Sequence, residues 1–133
     1  MKTLSASCLC GTVKMTLDDD FDYAGYCHCK ECQKISGSAF AAFGGINKNK
    51  LQIIEGGQTI GYYYKSEKSR CAFCSVCGSS LFTEKTHWDI TNLRLGLLDN
   101  TPSKTPDFHI YMASAAPWHH FEDRLPKFDK LPE

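Results

Sequence analysis

The eight cysteines of this 133-residue chain are the residues whose type and spacing could do chemistry. They fall into three short groups and are not spread along the chain. Spacings of one or two residues bring several sulfurs within reach of a single ion, as a tetrahedral zinc site requires. The sequence therefore predicts zinc binding by cysteine. The groups are Cys8-Leu9-Cys10, Cys27-His28-Cys29-Lys30-Glu31-Cys32 and Cys71-Ala72-Phe73-Cys74-Ser75-Val76-Cys77.

A disulfide framework is the competing use of eight cysteines, and it is typical of secreted proteins. Residues 1–7 contain no apolar run of the length that a signal peptide needs. No apolar stretch of the sequence approaches the roughly 20 residues of a membrane-spanning helix. We therefore expect a cytoplasmic protein with reduced thiols that does not associate with a membrane.

The balance of charges argues against a nucleic-acid partner. Lysine plus arginine and aspartate plus glutamate number 15 each, so the net charge is zero, and no basic stripe stands out. The histidines do not have the spacing that completes a DNA-binding zinc finger. Because 42% of the residues are hydrophobic, the chain can form a core of its own, and we expect one domain over residues 1–133.

Short runs of β-branched and aromatic residues, separated by glycine, proline and asparagine, predict a mainly β fold of packed antiparallel sheets. One short helix is predicted, Lys30–Ser36, directly after the cysteine turn of the second group. Backbone amides at the start of such a helix favour thiolate over thiol. The predicted strands are 13–17, 40–46, 51–54, 59–64, 70–73, 80–83, 92–97 and 109–112.

The spacing divides the cysteines between two metal sites. Paired elements from separate hairpins commonly hold one zinc, so a closed structural site is predicted at Cys8, Cys10, Cys74 and Cys77. Such a site would staple the first strand to a distant turn, with an apparent binding free energy on the order of 10 kcal/mol.

A second group then remains, formed by Cys27, Cys29 and Cys32, and Cys71 is left unassigned. If Cys71 closes this group, the protein holds two structural zinc ions. If Cys71 does not close it, the second zinc has three protein ligands and an open fourth position, which is the arrangement of a catalytic zinc. The spacing leaves both alternatives open, because the Cys71 side chain could also fill the core.

Four ordered blocks of sequence cover nearly the whole chain. They are Cys8-Leu9-Cys10-Gly11-Thr12-Val13, residues 27–38 beginning with the cysteine turn, Phe73-Cys74-Ser75-Val76-Cys77-Gly78-Ser79-Ser80-Leu81, and His109-Ile110-Tyr111 followed by Pro117-Trp118 and Leu125-Pro126. In this order they resemble the glutathione-dependent formaldehyde-activating enzyme family, which also includes centromere protein V.

The resemblance implies a β-rich fold and a carbon–sulfur lyase that condenses formaldehyde with glutathione to S-hydroxymethylglutathione. The partner would then be a small-molecule thiol such as glutathione. It implies two zinc ions, one structural and one catalytic with an open fourth position. The implied ligands are Cys8, Cys10, Cys74 and Cys77 for the structural ion and Cys27, Cys29 and Cys32 for the catalytic ion.

The residues around the second group suggest how such a reaction would proceed. A zinc with an exchangeable ligand can bind a thiol as thiolate and hold it near a carbonyl carbon. Proton transfer at neutral pH suits His28 by its ordinary pKa. The predicted catalytic residues are therefore Cys27, His28, Cys29 and Cys32. The alternative is a non-catalytic zinc-binding module with a structural or interaction role, and the sequence sets no oligomeric state.

Two further predictions concern polar residues outside the cysteine groups. His109, His119 and His120 are interpreted as hydrogen-bonded structural residues, because the thiols already suffice for two zinc sites. Arg70 could bind a substrate carboxylate as a planar bidentate donor, but a surface ion pair is the favoured interpretation.

Overall fold

The computed structural model describes residues 2–132; Met1 and Glu133, the end residues of the predicted domain, lie outside the described residues. Within the described range the chain forms ten strands and one α-helix, which confirms a mainly β fold with one helix. The elements are β1 (Thr3–Ser7), β2 (Lys14–Asp18), β3 (Tyr23–Cys27), α1 (Lys30–Ser36), β4 (Ala41–Asn47), β5 (Leu51–Glu55), β6 (Ile60–Ser66), β7 (Ser69–Cys74), β8 (Ser80–Lys85), β9 (Ile90–Arg94) and β10 (His109–Ile110).

The strands form a small and a large sheet. The small sheet has the order β1-β2-β5 and is antiparallel throughout. The large sheet has seven strands in the order β10-β3-β4-β9-β8-β7-β6. All its pairs are antiparallel except β10 with β3, which run parallel, so the large sheet is mixed where the sequence predicted antiparallel sheets. Residues 95–108 carry the chain from β9 to the far edge of the sheet, where the two-residue β10 joins in the parallel direction.

The two faces of the large sheet have different roles. Residues that pair directly on neighbouring strands share a face, and alternate residues of one strand share it too. Phe82 pairs with Leu93, and both pack with Leu4, Met15 and other side chains of the small sheet in the main hydrophobic core. The opposite face carries a second, smaller cluster that includes Cys27, Phe43 and Ile110. It is this second face that is available for a site.

Helix α1 begins and ends at the predicted residues, Lys30–Ser36. Its N-cap is Cys29, whose sulfur accepts a hydrogen bond from the Cys32 backbone amide at 3.3 Å. Gly37 ends the helix in the left-handed region at φ 62°, which glycine adopts without strain. With its seven residues, α1 is the longest helix of the described chain and far too short to cross a bilayer.

The structure departs from the predicted strands chiefly in three places. The strand predicted over 92–97 ends early, because β9 is Ile90–Arg94 and Leu95–Leu97 form a 3-10 helix. Strands β1 and β3 were not predicted, because the runs TLSAS and YAGYC are short and rich in small residues. The last strand was predicted over 109–112 but ends at Ile110. Tyr111 adopts φ 57° and starts the 3-10 helix Met112–Ser114, so the extended backbone stops there.

Candidate functional site

The first thiol group joins the loop after β1 to the turn after β7. The sulfurs of Cys8, Cys10, Cys74 and Cys77 all lie within 4.8 Å of one another. Sulfurs about 2.3 Å from a tetrahedral zinc lie about 3.8 Å from each other. The Sγ atoms of Cys8 and Cys10 are 3.6 Å apart, and those of Cys10 and Cys74 are 3.8 Å apart. The residues present therefore fit a closed four-thiolate zinc site.

Two tight turns shape this first group. The Gly11 amide donates to the Cys8 carbonyl at 3.0 Å, and the Gly78 amide donates to the Cys74 carbonyl at 2.7 Å. Both glycines have φ 80°, which a side chain would strain. Hydrogen bonds from the side chain and backbone of Ser79 lower the pKa of Cys77 to about 5. The local fold thus favours the thiolate of Cys77, the form that binds zinc.

The three cysteines of the second thiol group lie close together in the sequence. Cys27 ends β3, Cys29 caps α1 and Cys32 lies in its first turn. Their three sulfurs lie within 4.8 Å of one another. The group spans only six positions of the chain, and strand pairing already fixes β3 against β4, so the topology does not depend on it.

Interactions among these three thiols separate their pKa values. Hydrogen bonds from Cys27 and Cys32 lower the pKa of Cys29 to about 2. The same contact with Cys29 raises the pKa of Cys27 to about 11, and contacts with Cys27 and Cys29 raise that of Cys32. The three thiols therefore do not ionise independently of one another. A divalent cation would allow all three to ionise, so the donor set fits a zinc ion.

Cys71 belongs to neither group of mutually close thiols within residues 2–132. It lies on β7, pairs with Thr83 of β8 and is 4% exposed. Burial raises the pKa of its thiol. Its side chain lines a cavity that Cys32 also lines, but its sulfur is not part of the three-sulfur cluster. All eight cysteines are free thiols in this structure.

His28 lies between two clustered cysteines in sequence, yet its ring packs elsewhere. Its Nε2 is 2.9 Å from Nδ1 of His109, and His109 Nε2 is 3.0 Å from a carboxylate oxygen of Asp123. The ring also contacts Phe40 and Phe121. His28 is 1% exposed, and burial, followed by the charges of His109 and His119, lowers its pKa to about 4. The prediction that His109 is a hydrogen-bonded structural residue is confirmed.

An apolar cavity of about 430 Å³ opens beside the second thiol group and reaches Cys27 and Cys32. Its walls are mainly aromatic and aliphatic. Two polar groups of its wall bond each other, because the Tyr23 hydroxyl donates to Oδ1 of Asn92 at 2.8 Å. The aromatic and aliphatic residues of the wall include Tyr23, Phe43, Trp88, Phe108, Ile110 and Leu131.

A second cavity of about 610 Å³, which we call the polar cavity for its charged lining residues, also borders Cys32 and shares Thr83 and Arg94 with the apolar cavity. Three cations line it, Lys34, Lys65 and Arg94, against the single carboxylate of Glu31. Glu31 is already paired with Lys65, at 2.9 Å. The cavity is therefore suited to an anionic ligand.

Arg94 stands where the two cavities meet. Its Nε donates to the Ser80 hydroxyl at 3.2 Å, and none of the ion pairs formed within residues 2–132 includes it. Arg70 differs, because its Nε donates to Glu84 at 2.7 Å, which confirms the predicted ion pair. Sequence reasoning considered Arg70 and missed Arg94. A polar residue alternating with buried ones in β9 was the available signal, but it equally describes a solvated strand face.

The chain is similar to known proteins in both sequence and fold. The model of the glutathione-dependent formaldehyde-activating enzyme family matches residues 3–114. A crystal structure of a Rhodobacter sphaeroides protein has a similar fold, with a TM-score of 0.62 at 17% identity, over 77% of this chain and 97% of that chain. Among curated proteins, none matches the chain. The family match associates the chain with the chemistry of glutathione and formaldehyde in general. The chain therefore belongs to the glutathione-dependent formaldehyde-activating enzyme family.

Proposed function

We propose that this protein is a zinc-dependent enzyme that joins the sulfur of a small thiol to an aldehyde carbon. Glutathione and formaldehyde are the first reactants to test, with S-hydroxymethylglutathione as the product. In the reverse direction the reaction is that of a carbon–sulfur lyase. The observation that carries the proposal is the position of the three-thiol group, which borders two cavities at once.

In this proposal Cys27, Cys29 and Cys32 hold the second zinc. When bound there, zinc supplies an exchangeable fourth position at which a substrate thiol ionises at neutral pH. The first group, by contrast, already offers four sulfurs, so its zinc would be closed and structural. The number of thiols in each group is what separates the two roles.

The chain's own residues bind and orient the reactants. Lys34 and Lys65 line the polar cavity, where they would attract the carboxylates of an anionic thiol such as glutathione. At the junction of the cavities, the Arg94 guanidinium and the Thr83 hydroxyl can donate hydrogen bonds to the aldehyde oxygen. Negative charge develops on that oxygen as the S–C bond forms, so donors placed there lower the barrier.

We assign His28 a positioning role in place of the proton transfer predicted from its residue type. Its ring lines neither cavity and bonds His109. Its backbone carbonyl accepts a hydrogen bond from the Gln33 amide at 2.8 Å, and the same amide donates to the Ser114 carbonyl at 2.9 Å. These contacts orient the turn that carries Cys27 and Cys29. The proton released by the substrate thiol would pass to water in the open cavities.

Closure of the second group by Cys71 would have favoured the non-catalytic alternative. Cys71 lies outside that group within the described residues, so the geometry favours the enzyme over the structural module. Cys71 also provides a matched control, because Cys71→Ala removes one buried thiol next to the same cavity without removing a member of either group.

The test is exchange spectroscopy by NMR, with carbon-13-labelled formaldehyde and glutathione. The two reactants combine without a catalyst, so the enzyme should speed exchange between free and thiol-bound formaldehyde without changing their equilibrium ratio. Zinc-loaded protein should accelerate exchange, Cys71→Ala should retain the acceleration, and Cys29→Ala should return exchange to the uncatalysed rate. Equal exchange rates with and without wild-type protein, or full acceleration by Cys29→Ala, would contradict the proposal.

A further inference from the structure

The apolar cavity is larger than formaldehyde requires. Formaldehyde contributes one carbon and one oxygen, whereas the cavity has a volume of about 430 Å³. A water molecule takes up about 30 Å³ in the liquid, so many waters would remain against aromatic walls beside so small a reactant. Leaving apolar surface wet forgoes the stabilisation that its burial supplies.

The aromatic residues of this cavity wall are ordered, and the hydroxyl group among them already has a hydrogen-bond partner. The ring of Phe43 packs edge to face with those of Tyr23 and Phe108, with both pairs of centroids 6.0 Å apart. Such packing fixes the rings in place. The Tyr23 hydroxyl is already bonded to Asn92. A polar ligand against this wall would therefore lose its own hydrogen bonds to water and gain none in return. An apolar body fits this surface, and a polar peptide does not.

Glycine in the sheet beneath the rings keeps the cavity open. A Cβ on Gly25 would lie 2.7 Å from two carbons of the Phe108 ring. A Cβ on Gly45 would overlap the Tyr23 ring in the same way. Both rings therefore lie flat against the backbone of the large sheet. A side chain at either position would lift its ring into the space that forms the cavity.

The cavity is also placed for a reactant. It touches Cys27 and Cys32, and the polar cavity with its lysines also touches Cys32. Two reactants of different chemistry can thus meet at Cys32 and Arg94. The cations select the anionic thiol, which leaves the apolar cavity for the body of the aldehyde.

We propose that the aldehyde reactant of this site carries an aromatic or branched aliphatic body, which binds in the apolar cavity. The inference rests on the proposed function, because it names the carbonyl reactant of that same site. The reaction stays balanced: the S–H bond breaks, an S–C bond forms and the carbonyl becomes a hydroxyl group that takes up the proton. No oxidant or reductant is needed.

Binding is tested on zinc-loaded protein with benzyl alcohol, which has an aromatic body and no electrophilic carbon. The chain has two tryptophans, and Trp118→Phe leaves Trp88, a wall residue, as the single tryptophan, which can be excited selectively over the tyrosines. Benzyl alcohol should change its fluorescence saturably, and methanol at equal concentration should not. A linear response to benzyl alcohol, indistinguishable from that to methanol, would overturn the proposal.

Glycine substitutions assign the binding to this cavity. Gly25→Ala should weaken benzyl alcohol binding at least about tenfold, which corresponds to about 1.4 kcal/mol. Gly96→Ala is the matched control, because an added Cβ there meets no atom within 4 Å, and its affinity should be unchanged. Ile110→Phe fills the same space from another strand and serves where Gly25→Ala does not fold. Unaltered affinity in the folded cavity variants would place the ligand elsewhere and overturn the proposal.

Turnover separates this inference from the proposed function. With glutathione as the thiol, kcat/KM for benzaldehyde should exceed that for formaldehyde, and Gly25→Ala should reduce the first more than the second. Turnover of formaldehyde without saturable binding of benzyl alcohol would support the proposed function and overturn the inference. Saturable, Gly25-dependent binding without turnover of either aldehyde would overturn the proposed function and leave the apolar cavity assigned as a binding site.

Discussion

The two thiol groups differ in how much of the fold each one ties together. The first draws its sulfurs from the loop after β1 and the turn after β7, so it joins the two sheets. The second draws all three from the end of β3 and the start of α1, a region that strand pairing and Gln33 already hold. We therefore predict that an ion bound in the first group would contribute to stability, whereas an ion bound in the second could take part in chemistry. Position in the topology distinguishes them as clearly as ligand number does.

The largest effect is expected from Cys74→Ala, which opens the first group. Loss of a structural zinc removes an apparent binding free energy on the order of 10 kcal/mol, comparable to the whole stability of a domain. The variant should be largely insoluble or unfolded, and Cys71→Ala on the same strand should stay folded. Metal analysis gives the zinc content of both variants, and circular dichroism shows whether each is folded. A soluble Cys74→Ala variant with a wild-type melting temperature would remove the contrast between the groups.

The next largest effect compares the two faces of the large sheet. Phe82→Ala removes a ring from the core between the sheets and should lower the free energy of unfolding by about 3–5 kcal/mol. Phe43→Ala removes a ring from the cavity wall, where the space joins an existing opening, and should cost less. Urea unfolding of both variants gives the comparison. Equal losses would mean that the cavity face contributes to stability as the core does.

A smaller effect on folding is expected from Cys29→Ala in the second group. The variant should bind one zinc ion per chain fewer than the wild type while keeping its strand signal in circular dichroism. Metal analysis and a melting curve, each with Cys71→Ala alongside, test this. Global unfolding of Cys29→Ala would show that the second group is structural as well.

The smallest effect on stability is expected from Glu31→Gln. This change breaks a solvent-accessible ion pair with Lys65, and such pairs contribute about 0.2–1 kcal/mol. It also leaves the polar cavity more positive, so glutathione should bind more tightly, as calorimetry can measure. Glu84→Gln is the matched control, since it breaks an ion pair with Arg70 in the large sheet. Tighter binding in Glu84→Gln as well would point to a general charge effect.

The parts of the fold that the sequence could predict are those set by local chemistry. Helix α1 follows from a capping residue and a closing glycine, and its bounds are correct. The gathering of Cys8 and Cys10 with Cys74 and Cys77 follows from the small set of geometries that paired thiols allow. That these four cysteines bind a metal ion stays a prediction. Local pattern was sufficient in both cases because few residues decide the outcome.

The cavities could not be predicted, since they depend on which strands become neighbours. Arg94 lines the same cavities as Cys32 only because of the strand order β4-β9-β8, and Phe108 lies over Gly25 because β10 returns to the edge beside β3. Neither arrangement leaves a trace in residue spacing. His28 illustrates the same limit, because residue type suggested a proton carrier, whereas pairing placed its ring against His109.

The long separation within the first thiol group has a consequence for synthesis in the cell. Cys10 and Cys74, whose sulfurs are 3.8 Å apart, are separated by 64 positions. At about 5–20 residues per second, the ribosome adds the second pair of thiols roughly 3–13 s after the first. During that interval the N-terminal dithiol has no partner pair and is open to oxidation or to a competing metal. The nascent chain therefore depends on a reducing environment before the finished fold does.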